Sequence, residues 1–339
     1  MSKKIIGKLP SIEELKSKYS LSEQAKRNFE QHEMELADII SWKDSRKILI
    51  IGPCSADFEE SLYEYAEFLS QLQKKVEDKI KIVMRFYTGK PRTVWGWKGL
   101  QNSNPWEEPN LITWIENSRR IATQIIEKYN LALADELLHP QLINHIEDIF
   151  SYFAIWARST ENQYHREVAS GLNISVWMKN PTSWDIGLMC NSIKAWQTQS
   201  TFVVGDEVYE TTWNNLTHWI LRWGASGPNY SLWDIVESYD KIKSMKIENP
   251  SLIIDCNHDN SWKKPEKQIQ ILSEVMENIW WQTELYNFVK WFMVESYLYD
   301  GRQDVVDFST VKKGLSLTDP CIGKQGTIKL VEQLYSLIK

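Results

Sequence analysis

The sequence predicts an α/β fold: a (β/α)8 TIM barrel with an N-terminal helical extension and an extra β-hairpin. Short β-rich runs alternate with longer amphipathic stretches, and this alternation implies a parallel sheet. Nine candidate strands over about 250 residues suit eight barrel strands and one hairpin. An open doubly wound sheet is the alternative, but no GxGxxG motif follows a strand, which disfavours its dinucleotide-binding form.

The chain divides into an N-terminal extension, residues 1–45, and a barrel domain, residues 46–339. Residues 11–43 have a polar, helical pattern, and Ser11 is a candidate N-cap. The candidate strands are residues 47–51, 81–85, 131–134, 153–158, 175–179, 201–204, 218–222, 252–255 and 288–294. The candidate helices are residues 60–75, 112–129, 144–150, 186–195, 232–246 and 266–278. We expect the hairpin near residues 201–213.

Composition excludes several classes of function. The 339 residues carry a net charge of −6, which argues against a general nucleic-acid binder. The longest apolar runs, residues 48–51 and 252–254, are too short to cross a bilayer, so no membrane partner is expected. No secretory signal and no CxxC pair is visible, which favours the cytoplasm over a disulfide-bonded location. The four cysteines are Cys54, Cys190, Cys256 and Cys321.

Polar and charged residues follow the apolar runs of eight candidate strands. In a parallel barrel these strand ends meet at one rim, where barrel active sites lie. Six of the residues at or near these ends are cations: Arg85, Lys90, Arg92, Arg158, Lys179 and Arg222. Clustered like charges cost free energy unless an anion neutralises them, so we expect the rim to bind phosphate or carboxylate groups. The alternative at each position is a local ion pair with Asp or Glu.

Four residues are candidate metal ligands: Cys54, His258, Glu295 and Asp319. A thiolate, an imidazole and two carboxylates suit Mn, Fe, Co or Zn better than Mg or Ca. The spacing matches no HExxH or CxxC pattern, so two alternatives stay open. Cys54 could be a small buried apolar residue, and His258 could be a hydrogen-bonded histidine at the rim.

Many short motifs occur in one order along the chain. They are IGPCS (51–55), MR (84–85), KPRT (90–93), GWKGL (96–100), ARSTENQ (157–163), HRE (165–167), ASGL (169–172), MKNPT (178–182), LR (221–222), GPNY (227–230), NH (257–258), MVES (293–296) and TDPCIG (318–323). Together they resemble the class I 3-deoxy-7-phosphoheptulonate (DAHP) synthases from about residue 45 to residue 335.

The resemblance implies a metal-dependent transferase of aromatic amino acid biosynthesis. This family condenses phosphoenolpyruvate with erythrose 4-phosphate and water to give 3-deoxy-D-arabino-heptulosonate 7-phosphate and phosphate, the entry step of the shikimate pathway to chorismate. It implies one divalent metal ion, a homodimer or homotetramer, and an aromatic amino acid effector acting through residues 1–45 and the hairpin. The KPRT motif disfavours the related synthase that uses arabinose 5-phosphate. A catalytically inactive barrel that serves as a binding or regulatory partner is the alternative.

The resemblance also implies roles for individual residues. The metal ligands are Cys54, His258, Glu295 and Asp319. The clamp on the phosphoenolpyruvate phosphate is Arg158 and Arg222, and the residues around its carboxylate and reacting carbon are Arg85, Lys90 and Lys179. The loop that receives erythrose 4-phosphate is Lys90, Pro91, Arg92 and Thr93. Glu136 matches an acidic residue near the attacking water. We expect catalytic roles for Lys90, Glu136, Lys179 and His258.

Tryptophan is abnormally frequent, with 17 Trp against 14 Gly. Seven tryptophans stand where the family has glycine: Trp156, Trp177, Trp184, Trp213, Trp223, Trp262 and Trp291. Glycine at such positions permits close backbone approach or positive φ, so tryptophan there should overpack the barrel. One reading is a degraded, inactive relative. We favour a second: UGA encodes glycine in the source and was translated as tryptophan.

Overall fold

Two helices precede the barrel in the computed structural model, which describes residues 4–90, 99–100, 110–181, 185–223, 227–304 and 308–339. Helix α1 (Ile12–Lys18) begins at Ser11, whose Oγ accepts a hydrogen bond from the backbone of Glu14 while the Glu14 carboxylate accepts one from the backbone of Ser11. Helix α2 (Glu23–Ile40) begins at Ser22. The polar helical segment predicted for residues 11–43 is therefore two helices.

Eight parallel strands close into a barrel, and two antiparallel strands form a separate hairpin. In chain order the strands are β1 (Lys47–Gly52), β2 (Ile80–Arg85), β3 (Ala132–Glu136), β4 (Tyr152–Ile155), β5 (Ser175–Lys179), β6 (Thr201–Val204), β7 (Glu207–Glu210), β8 (Thr217–Leu221), β9 (Leu252–Asp255) and β10 (Val289–Glu295). The barrel order is β1-β10-β9-β8-β5-β4-β3-β2, and the hairpin pairs β6 with β7. The predicted barrel and hairpin are confirmed. Because β1 pairs with both β2 and β10, an open sheet is excluded.

Helices cover the outside of the barrel. They are α3 (Glu59–Val76), α4 (Leu111–Tyr129), α5 (Gln163–Ser170), α6 (Ile186–Trp196), α7 (Leu232–Ser244), α8 (Lys267–Ile279), α9 (Thr283–Phe288) and α10 (Lys324–Leu337). Each buries apolar side chains against the strands or neighbouring helices. No helix among the described residues combines the length and the apolar composition that a membrane span needs.

Two sequence predictions were wrong in detail. Residues 144–150 do not form one helix: they contribute to two 3₁₀ turns, Pro140–His145 and Glu147–Ile149, because Ile146 between them has a φ of −136°, outside the helical region. The strand predicted for residues 153–158 ends at Ile155, and Arg158 belongs to the 3₁₀ turn Ala157–Ser159.

Side chains inside the barrel form an apolar layer beneath a charged one. The inward apolar residues are Ile48, Ile50, Val83, Ala132, Ala134, Tyr152, Ala154, Trp177, Ile220, Ile253, Trp291 and Met293. Side chains alternate along a strand, so the next inward position lies two residues further on. That position is charged at the ends of five strands and directly after β8, at Arg85, Glu136, Lys179, Arg222, Asp255 and Glu295. The alternation of the barrel strands therefore gathers this charged layer at the carboxyl end of the barrel.

Two of the unexpected tryptophans lie in the apolar layer. The rings of Trp177 and Trp291 are 4.3 Å apart between centroids, and the Trp177 ring is 4.6 Å from that of His218. All three side chains are buried, and neither indole nitrogen has a hydrogen-bond partner among the described residues. The barrel accommodates both rings at the cost of two unpaired buried donors.

Candidate active site

A glycine brings the first strand against the second at the rim. A Cβ on Gly52 would lie 2.4 Å from the backbone oxygen of Arg85, so only glycine allows this approach. Arg85 then holds the loop that follows β1: its Nε donates to the Pro53 carbonyl at 3.1 Å and its Nη2 to the Cys54 carbonyl at 3.2 Å. The position of Cys54 therefore depends on a charged side chain from the neighbouring strand.

Three of the four predicted metal ligands come together. One ligand atom from each of Cys54, Glu295 and Asp319 lies within 4.8 Å of the others. His258 does not join this group, but its Nε2 is 3.5 Å from Oε1 of Glu295. Sulfur, carboxylate oxygen and imidazole nitrogen in one place fit a divalent transition ion, because such ions accept mixed soft and hard donors. Cys54, Glu295 and Asp319 therefore form a group that could hold such an ion, with His258 next to it.

Positive charge surrounds the three clustered ligands. The Nζ of Lys90 is 2.7 Å from Sγ of Cys54, and the Nζ of Lys263 is 3.1 Å from Oδ1 of Asp319. Burial raises the pKa of the Cys54 thiol, and the Lys90 ammonium opposes this. Burial also opposes ionisation of Asp319, but Lys90, His258 and Lys263 outweigh it and lower its pKa to about 2. Asp319 is therefore a carboxylate at neutral pH.

Glu295 is shared between the metal-ligand group and Arg85. Its Oε1 lies 2.7 Å from Nη2 of Arg85, and both side chains are fully buried. Its Oε2 accepts a hydrogen bond from the Asn257 side chain. The side-chain amide of Gln268 donates to the backbone carbonyl of Glu295 and accepts from its backbone N–H. Burial opposes ionisation of Glu295, but the guanidinium of Arg85 holds its pKa below the usual value. The ring of Tyr87 covers the guanidinium of Arg85 at 3.9 Å.

Lys179 and Glu136 form a second buried ion pair, at the ends of β5 and β3. Burial opposes ionisation of Glu136, but Lys179 outweighs it and lowers the pKa of the carboxyl, while burial lowers the pKa of Lys179. Glu136 therefore stays ionised. At Arg85 and Lys179 the structure therefore shows the ion pair that was the alternative to anion binding, with an acidic partner from another strand in each case.

The two arginines predicted to bind phosphate follow β4 and β8 at the same rim. Arg158 is exposed, and its guanidinium lies 4.7 Å from the ring centroid of Trp156. Arg222 is half-buried, its Nε lies 3.8 Å from Oδ2 of Asp255, and its backbone N–H donates to Oδ1 of Asn180 at 2.9 Å. Pro91, Arg92 and Thr93 lie outside the described residues.

Sequence reasoning missed two rim residues. Asp255 lies fully buried among the candidate site residues, and Asn257 binds Glu295. Asp255 had a signal: it stands two residues after Ile253, at the next inward position of a buried strand. Asn257 is part of the NH motif (257–258), but the motif gave it no role, because its partner Glu295 comes from a strand that is distant in sequence.

Comparisons with known proteins identify the family and several relatives of the chain. The family model described as the DAHP synthetase I family matches residues 18–332. The phospho-2-dehydro-3-deoxyheptonate aldolase of Haemophilus influenzae is 36% identical over 341 residues, or 97% of this chain and 91% of the relative. The Trp-sensitive aldolase of Enterobacter agglomerans is 34% identical, over 98% of this chain and 96% of the relative. The Tyr-sensitive aldolase of Escherichia coli is 32% identical, over 96% of this chain and 92% of the relative.

A solved structure has the same architecture. The phospho-2-dehydro-3-deoxyheptonate aldolase from Francisella tularensis aligns with a TM-score of 0.93 at 32% identity. The alignment covers 100% of this chain and 98% of that one. The family match over most of the chain, the relatives at more than 30% identity and the barrel agree with the ordered motifs. The chain therefore belongs to the DAHP synthetase I family.

Proposed function

We propose that this chain condenses phosphoenolpyruvate with erythrose 4-phosphate and water to give 3-deoxy-D-arabino-heptulosonate 7-phosphate and phosphate. The observation that carries the proposal is the proximity of two features at the carboxyl end of the barrel. A group suited to a divalent metal, Cys54, Glu295 and Asp319, lies beside the cations Arg85 and Lys90. A site with both features can hold an anionic substrate next to a Lewis acid.

The side chains of the rim have separate roles in this proposal. A bound ion of the Mn, Fe, Co or Zn type would polarise the aldehyde oxygen of erythrose 4-phosphate. Arg85, Lys90 and Lys179 bind the phosphoenolpyruvate carboxylate and orient its reacting carbon. Ionised Glu136 orients or deprotonates the water that attacks C2.

Binding of the two phosphates completes the site. Arg158 and Arg222 bind the phosphate of phosphoenolpyruvate and stabilise it as it leaves. Lys90, Pro91, Arg92 and Thr93 receive erythrose 4-phosphate. Two anionic substrates repel one another in solution, so fixed cations lower the free-energy cost of bringing them into reaction distance.

The remaining properties rest on the relatives. Some are named Trp-sensitive and Tyr-sensitive, which supports regulation of this chain by an aromatic amino acid. The proposed regulatory parts are the extension, residues 1–45, which precedes the barrel domain of residues 46–339, and the hairpin β6–β7, which lies within that domain but outside the barrel sheet. A homodimer or homotetramer and a cytoplasmic location complete the proposal, and the four free cysteines agree with a reducing compartment.

The test is phosphate release from phosphoenolpyruvate, measured with erythrose 4-phosphate, with and without a chelator. We expect release that requires the aldose phosphate, stops with the chelator and returns with added Mn²⁺. Arabinose 5-phosphate is the control acceptor and should support little release. The assay is repeated on a chain with glycine at the seven family-glycine positions. Absence of release from both chains would contradict the proposal and favour the inactive-barrel alternative.

A further inference from the structure

Asp255 is a buried carboxylate that the proposed chemistry does not use. It is the last residue of β9, and its side chain is fully buried. It occupies the inward charged layer, two residues beyond Ile253, with Glu295 on the adjacent strand β10. A buried carboxylate is costly unless its oxygens have partners, so its contacts indicate its role.

The two oxygens of Asp255 differ in their surroundings, because Oδ1 accepts a hydrogen bond whereas Oδ2 has charged neighbours but no hydrogen bond among the described residues. Oδ1 accepts a hydrogen bond from the backbone N–H of Asn257 at 2.9 Å, which fixes the carboxylate to the loop that follows β9. Oδ2 lies 2.7 Å from Nδ1 of His258 and 3.8 Å from Nε of Arg222. The carboxylate therefore lies between a candidate metal ligand and a candidate phosphate ligand that come from different strands.

His258 lies against this carboxylate in a constrained backbone conformation. Its backbone is in the left-handed region, with φ of 47°, so the loop holds it in a conformation that few non-glycine residues adopt. Contact of Nδ1 with a carboxylate favours the tautomer that carries its proton on Nδ1 and leaves the lone pair on Nε2. That Nε2 lies towards Glu295, at 3.5 Å from Oε1.

Other acidic groups cannot replace Asp255 in this position. Glu295 contacts His258 through the opposite ring nitrogen and is already bound by Arg85 and Asn257. Glu136 is paired with Lys179. Among the described residues, the ion pair that Arg222 makes is the one with Asp255.

We propose that Asp255 is a positioning residue that orients His258 towards the metal and Arg222 towards the substrate phosphate, and so couples metal binding to phosphoenolpyruvate binding. This rests on the proposed function. Outer partners of metal-ligating histidines change metal affinity by about 10- to 100-fold when they are removed. Coupling between two binding sites is reciprocal, so each ligand should strengthen the binding of the other.

The test measures binding rather than turnover. Binding of Mn²⁺ is followed by electron paramagnetic resonance without substrates, and binding of phosphoenolpyruvate by tryptophan fluorescence with and without Mn²⁺. For Asp255→Asn we expect Mn²⁺ affinity to fall about 10- to 100-fold, phosphoenolpyruvate affinity to fall, and the effect of Mn²⁺ on that affinity to shrink towards none. The control is Asp259→Asn, the same charge change in the same loop, which should bind both ligands like the original chain.

Several outcomes would overturn the inference. Unchanged affinity of Asp255→Asn for both ligands would do so, and so would a loss confined to one ligand. If Asp255→Asn does not fold, the test uses Asp255→Glu, which keeps the charge but displaces the carboxylate. An Asp255→Glu variant that binds Mn²⁺ as tightly as the original chain would count against the inference. Failure of the unsubstituted chain to bind either ligand would instead contradict the proposed function.

Discussion

The ammonium nitrogen of Lys90 lies 2.7 Å from the sulfur of Cys54. Burial raises the pKa of the thiol, and the neighbouring ammonium acts in the opposite direction. Cys54 in turn raises the pKa of Lys90, against the effect of burial. A residue proposed to contact both substrates therefore also favours the thiolate form that a metal ligand requires.

Replacement of this thiol should abolish metal-dependent turnover. For Cys54→Ala we expect phosphate release at saturating Mn²⁺ to fall by at least about 100-fold, because the group of ligands loses its sulfur. Bound metal measured by elemental analysis should fall in parallel. Cys190→Ala, a buried cysteine of helix α6, is the control and should retain metal and activity. Original rates in Cys54→Ala would refute the ligand assignment.

The effects of replacing Lys179 and Glu136 on the unfolding free energy should be strongly coupled. Lys179→Met leaves the Glu136 carboxylate buried without its partner, which should cost about 3–5 kcal/mol of unfolding free energy. Adding Glu136→Gln removes the stranded charge and should recover part of that loss. Urea unfolding of the single and double variants measures the coupling. If the double variant is less stable than Lys179→Met alone, the two residues do not act as a pair.

His32 should make stability depend on pH. It lies buried on α2, with Nε2 3.0 Å from Oδ1 of Asn130 and Nδ1 2.6 Å from Nζ of Lys81. Burial, reinforced by the Lys81 charge, lowers its pKa to about 4. The unfolded chain, with a pKa near 6.5, then binds more protons below pH 6.5, so His32 destabilises the fold as the pH falls. The contribution of His32 to the unfolding free energy should fall by about 2 kcal/mol as the pH is lowered from 7 to 5.

The measurement is urea unfolding of the original chain and His32→Gln across this range. Asp57 and Asp135, whose pKa burial raises to about 7, have the opposite pH dependence in both proteins and cancel in the difference. We expect the unfolding free energy of the original chain to fall relative to that of His32→Gln. Parallel curves would contradict the prediction.

The protein should be more stable with glycine in place of Trp262. Its φ is 54°, in the left-handed region, and its side chain is 59% exposed. Trp262→Gly removes backbone strain of about 1 kcal/mol and little packing, so thermal unfolding should occur at a higher temperature. Trp233→Gly, an exposed position inside helix α7, is the control and should be neutral or destabilising. Destabilisation by Trp262→Gly would contradict the prediction and show that contacts of the indole outweigh the backbone strain.

The reassigned-codon hypothesis makes a separate prediction. Peptide mass spectrometry of the protein isolated from its source should detect glycine at Trp177, Trp262 and Trp291. Sequencing of the gene should find UGA at the same positions. A UGG codon at these positions would end the hypothesis, and the buried pair Trp177–Trp291 would then be a native feature of the barrel.

The local pattern of apolar and charged residues in the sequence was sufficient to predict most of the fold. The bounds of β5 and β9 agree with the sequence prediction to the residue, because β-branched and apolar runs end there at charged residues. Residues 144–150 were misassigned because apolar spacing alone does not distinguish an α-helix from 3₁₀ turns.

The site was less predictable than the fold. The sequence identified charged residues at strand ends, but it could not identify their partners. The pairs Arg85–Glu295 and Lys179–Glu136 join strands separated by many residues, so they exist only once the barrel has closed. The role of Asp255 depends in the same way on the neighbouring His258 and on Arg222 from another strand.

The stacking of a charged layer on an apolar one links correct folding to activity. If any one strand slipped by a single residue, its rim charge would turn towards the surrounding helices and an outward side chain would enter the barrel. The misaligned form would bury an unpaired ion and lose a substrate contact in the same event. Selection for turnover alone would thus also maintain the hydrogen-bond alignment of β2, β3, β5, β9 and β10.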